Sequence, residues 1–108
     1  MFTSKDLLSL PYFTLLSSDE NHIELQSNNT KHCWFIDLST KTFYTLMHKH
    51  HMDDEYHIQS AFPSLFDIVL DIVSHDEYQL RGRRPVKYAW QNRNSYFDEL
   101  IKEYGLYA

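Results

Sequence analysis

Glycine and proline are scarce in this chain, two and three residues respectively, and no internal repeat, low-complexity tract or flexible linker interrupts it. Cysteine is scarcer still. Cys33 stands alone, which excludes an internal disulfide and a thiolate zinc site within one chain and suits a reducing, intracellular setting. No apolar run approaches the ~20 residues that a membrane-spanning helix needs. The opening MFTSKDLLSLPYF lacks the basic flank and long apolar stretch of a signal peptide, so a cytoplasmic location and no membrane partner are expected. Basic residues are outnumbered, 10 Lys and Arg against 15 Asp and Glu, for a net charge of −5. That balance argues against a protein that coats nucleic acid and fits a partner with a basic surface.

What the chain has in quantity is apolar and aromatic surface. Hydrophobic residues make up 43% and aromatic residues 16% of its 108 residues, enough for one modest core and too little chain for two. Residues 1–108 are therefore read as a single domain. Thr3 or Ser4 can cap a short helix that Pro11 ends. Segments 12–17, 22–27, 31–38, 42–49 and 56–61 are rich in alternating, β-branched or aromatic residues. Turn-forming residues separate them at 18–21, 28–30 and 39–41. From Pro63 the period changes: Leu65, Phe66, Ile68, Val69, Ile72 and Val73 follow helical spacing, with Asp67 and Asp71 on the expected wet side. Ser95 can cap a last helix with Tyr96, Phe97, Leu100 and Ile101 on its apolar stripe and Gly105 as its stop. The expected fold class is α+β: a short N-terminal helix, an antiparallel meander of four to five strands, and two C-terminal helices packed on one sheet face.

The chemistry-bearing stretch is MHKHHMDDEYH, residues 47–57, with four histidines and three acidic residues in eleven positions. Three-residue turns at 28–30 and 39–41 would set His32 opposite His48 and Gln26 opposite His32, and the acidic loop would set His48 opposite His57. The inferred row is Gln26, His32, His48 and His57 on one face, since cross-strand neighbours share a face. The opposite face, carrying Ile23, Leu25, Cys33, Phe35, Phe43, Met47 and Ile58, is expected under the helix.

Three chemistries compete for these residues. His48 and His50, completed by His32 or His57, have the nitrogen ligands of a zinc site. The run invites comparison with the HxHxDH signature of metallo-β-lactamase-like hydrolases. It departs from that signature, with Met52 at the aspartate position and Asp53 at the last histidine position, in a chain too short for that fold. No metal or other cofactor is therefore expected. A metal-independent ribonuclease would use His32, His48 and His57 as acid and base with Lys49 or Lys31 beside a developing oxyanion. Its RNA would be held by Arg81, Arg83, Arg84, Lys87, Trp90 and Arg93, a segment in which no acidic residue occurs between Tyr78 and Phe97. The third reading is structural, with histidine and glutamine satisfying one another across the sheet. Cys33 is read as a small buried hydrophobe, and Ser27 and Thr30 as turn formers.

The strand series IELQSNNTKHCWFIDL, followed by HKHH and YHIQ, resembles short uncharacterised accessory proteins of Gram-positive phages and mobile elements, over residues 22–78. That resemblance implies a small inhibitor or toxin. The leading expectation is a non-enzymatic protein that engages a basic partner through Asp53, Asp54 and Glu55, which would stand in for phosphates. The ribonuclease is the alternative.

Overall fold

Thr3 opens the chain's first helix by the reciprocal bonds of a capping box. Its backbone N–H donates to Asp6 at 2.8 Å, and Asp6 N–H donates to the Thr3 hydroxyl at 3.3 Å. In the computed structural model, which describes residues 2–84 and 95–104, this helix is α1 (Ser4–Ser9). Five strands follow: β1 (Phe13–Ser18), β2 (His22–Ser27), β3 (Cys33–Asp37), β4 (Tyr44–Lys49) and β5 (His57–Phe62). Helices α2 (Leu65–Leu80) and α3 (Ser95–Tyr104) complete the order. The strands form one antiparallel sheet in chain order, β1-β2-β3-β4-β5, so the described residues make a small α+β fold with three helices, one of them short. Helix α2 begins two residues after Pro63, because Ser64 takes the N-cap and accepts from Asp67 N–H at 3.1 Å.

One sheet face is covered. Ile23, Leu25, Trp34, Ile36 and Leu46 pack with Leu65, Phe66, Ile68, Val69, Ile72 and Val73 of α2, and Phe2, Leu7 and Leu100 join the same core. The sequence pattern places Ile23 and Leu25 there correctly but the wrong residues of the later strands. Cys33, Phe35, Met47 and Ile58, expected beneath the helix, lie on the other face, where Ile58 is 73% exposed.

The reason is turn length. The β2–β3 loop spans four residues rather than three: Ser27 N–H donates to His32 carbonyl and Lys31 N–H to Ser27 carbonyl, with Lys31 at a φ of 65°. Gln26 then pairs with Cys33 and Leu25 with Trp34, a one-residue slip that turns over every β2 side chain relative to β3. The β3–β4 turn is longer by an even number. Trp34 meets His48 and Ile36 meets Leu46, so parity survives while His32 moves from opposite His48 to one step beyond it. The β4–β5 register pairs His48 with His57 as expected, with a bulge at Gln59.

Candidate metal centre

Four imidazoles arrive from three elements. His32 leaves the left-handed Lys31 corner just before β3. His48 and His50 stand two residues apart near the end of β4, so the strand's alternation sends both to the same side. His75 descends from the last turns of α2, seven residues beyond Ile68 on its buried stripe. One ligand-capable atom from each of His32, His48, His50 and His75 lies within 4.8 Å of all the others. Ring centroids are 4.5 Å apart for His32 and His50, 4.5 Å for His48 and His75, and 5.0 Å for His32 and His48.

Burial sets the electrostatics of this group. His48 is 1% exposed, its ring 4.2 Å from that of Trp34. Desolvation lowers the His48 pKa to about 3, with His75, His32, His50 and His57 adding repulsion in that order. Desolvation likewise brings His32 down to about 4, with help from His50, His75 and Arg83. His75 is lowered for the same first reason. At neutral pH these three rings are therefore uncharged, the form in which imidazole offers a lone pair.

Their nitrogens are incompletely satisfied. His32 Nδ1 and His48 Nε2 share one proton across 3.0 Å. His75 Nε2 is buried and has no hydrogen-bond partner among the described residues. A turn earlier on α2, Asp71 accepts from Gln59, yet its Oδ2 is also buried without a partner. Asp71 is thus half-buried beside the cluster rather than on the wet side, and burial raises its pKa.

Behind His75 the packing is held by Asp76, which is fully buried. Its carboxylate accepts from Tyr12 at 2.7 Å, from Thr30 at 2.9 Å and from Ser27, whose oxygen in turn accepts from the Trp34 indole at 2.9 Å. Ser27 and Thr30 therefore do more than form a turn: they anchor α2 to the loop that presents His32.

The remaining sequence candidates divide. His57 stands beside His48 with ring centroids 5.4 Å apart, but it is exposed and outside the four-histidine group. Lys49 has the opposite parity; its ammonium donates to Met52 carbonyl at 2.9 Å and lies over the Tyr56 ring, on the sheet's other face. Cys33 is buried on that face and donates to the Met52 sulfur. Asp53, Asp54 and Glu55 lie in the exposed loop, where Asp54 accepts from His51 N–H. Asp54 and Glu55 share with Lys49, His50 and His57 the lining of a cavity of about 480 Å³. Of the basic segment, Arg83 Nη2 lies 3.5 Å from His50 Nε2, and Arg81 Nε donates to Arg84 carbonyl. Lys87, Trp90, Arg93 and Gly105 lie outside the described residues, as does the Phe97 side chain.

His75 and Asp76 are the residues that the sequence reading passes over. The signal was there: they continue the stripe of Ile68, Ile72 and Val73 into two titratable side chains, and a polar pair on a buried helical face requires partners. Comparison with protein-family models, curated proteins and solved structures finds no match to this chain.

Proposed function

We propose that this protein binds a divalent transition-metal ion of the zinc class through His32, His48, His50 and His75. The observation that carries the reading is the convergence of four imidazoles, one ligand-capable nitrogen of each within 4.8 Å of the others, together with a buried His75 Nε2 that has no hydrogen-bond partner among the described residues. An orphaned buried polar atom costs about 1–3 kcal/mol, and a cation at the centre removes that cost while using all four lone pairs. Nitrogens around tetrahedral zinc at about 2.0–2.1 Å stand roughly 3.3 Å apart. The 3.0 Å His32–His48 separation already has that scale, and the whole set lies within 4.8 Å. An all-imidazole set suits zinc, copper, nickel or iron and disfavours magnesium and calcium, which take oxygen. The neutrality of the buried rings lowers proton competition for the ion.

Two other readings draw less support. A metal-independent ribonuclease needs one accessible imidazole protonated near neutrality, whereas His48 is enclosed and held neutral, and Lys49 points to the opposite face. An inhibitor that docks through Asp53, Asp54 and Glu55 accords with their exposure but leaves the histidines unused. In the metal reading the Asp54 and Glu55 carboxylates line an approach to His50 that concentrates cations.

The test is untagged protein refolded with zinc, dialysed and assayed by elemental analysis. Zinc equimolar with protein is expected for wild type and a large loss for His75→Phe, which keeps an apolar filler in the helix stripe. Zinc-free wild type, or equal retention by the variant, contradicts the assignment.

A further inference from the structure

Resting on that metal reading, we propose that the ion is held together with a phosphate-class dianion, bound between the metal, Arg83 and Lys31. The four ligands bring no negative charge, so a divalent ion there keeps its full charge toward the mouth of the site. On the α2 side Asp71 and Asp76 adjoin His75, and burial raises the pKa of both carboxyls toward their neutral form. On the Lys31 side the mouth is basic, whereas Asp54 and Glu55 line the other approach to His50. Lys31 lines a cavity of about 330 Å³ with Gln26, Thr30, His32, His50, His51 and Met52, all but the last bearing hydrogen-bonding side chains. Arg83 reaches His50 from the end of α2, Nη2 to Nε2 at 3.5 Å.

Both cations project from unusual backbone. Lys31 and Arg83, with φ of 65° and 62°, are the two non-glycine residues of positive φ among the described residues. Such conformations are disfavoured for side-chain-bearing residues and gather at binding sites. Arg83 is further oriented by Nε–H donating to Gln79 at 3.2 Å and its backbone N–H to Tyr78 carbonyl at 3.0 Å. It has no carboxylate partner among the described residues. A guanidinium held beside a metal ligand repels the ion when the site is otherwise empty of anion. A dianion reverses that, since it accepts the guanidinium fork and shields it from the metal.

The experiment titrates cobalt(II) into the full chain, read by its visible absorption, with and without inorganic phosphate, using chloride at matched ionic strength as control. Phosphate is expected to tighten cobalt binding about fivefold or more, within the usual range of coupling between two ligands, and to change the absorption envelope. Arg83→Ala should bind cobalt more tightly than wild type without phosphate and lose most of the phosphate effect, while Arg83→Lys retains part of it. Wild-type cobalt affinity indifferent to phosphate, or coupling intact in Arg83→Ala, overturns the dianion with the metal site left standing. Absence of cobalt binding under every condition overturns both. A dimethyl phosphate arm separates sources: coupling by this diester equal to that by phosphate would point to a nucleic-acid strand and overturn the assignment to a free dianion.

Discussion

His48 shows how a residue type that is unremarkable on a strand becomes committed to one protonation state. Enclosed by Trp34, His32 and His75, it stays neutral because no water remains to solvate an imidazolium and its neighbours would repel one. The stability consequence has a definite sign. With folded pKa values of about 3 for His48 and about 4 for His32, against ~6.5 unfolded, the unfolded chain binds more protons throughout the interval between them. Metal-free protein should therefore hold full stability from these groups above about pH 6.5 and lose it progressively as pH falls toward about 3. Urea denaturation of chelator-treated protein across this window checks it. A His48→Phe variant should show a shallower acid dependence than wild type, and an identical slope would remove His48 as its source.

At the scale of elements, the cluster depends on how α2 is pinned to the sheet. Asp76 ties the helix to the turn before β1 through Tyr12, to the β2–β3 loop through Thr30 and to β2 through Ser27. Replacing it with alanine strands three donors in a closed space, and a loss of about 2–4 kcal/mol is expected in denaturant unfolding. Asp76→Asn, which keeps an acceptor oxygen, should lose less. Removing the α2 cap by Ser64→Ala should cost about 1 kcal/mol without disturbing the site, a useful contrast of lost stability with an intact cluster.

The elements themselves were legible in the sequence. Alternation marked the strands, the change of period after Pro63 marked α2, and Thr3 marked α1. Which face of the later strands the helices cover was not, because it turned on a single residue, Lys31, whose left-handed conformation lengthens a loop by one and inverts β3 to β5 relative to β2. The partial legibility of the site follows from the same geometry. His48 and His50 were close in sequence and His32 entered through strand pairing, whereas His75 comes from a helix docked on that face. The helix stripe runs on to His75, but no local pattern names the strands it meets.

For the whole molecule, the four ligands connect the middle of the sheet to the far end of its covering helix, so an ion bound there cross-links β3, β4 and α2. Binding to the folded chain alone adds RT ln(1 + [L]/Kd), about 2.7 kcal/mol when free zinc is 100 times Kd. Thermal denaturation should therefore shift upward with zinc in wild type and much less in His75→Phe, and magnesium should be inert. The alternative soft site, the Cys33–Met52 sulfur pair on the open face, would stabilise a different part of the sheet and involve sulfur. X-ray absorption at the zinc edge, on protein loaded to equimolar zinc, separates these directly. The four-histidine centre requires a shell of nitrogen or oxygen scatterers at about 2.0–2.1 Å with the outer-shell pattern of imidazole rings. A sulfur scatterer near 2.3 Å, or a shell without imidazole features, would contradict it.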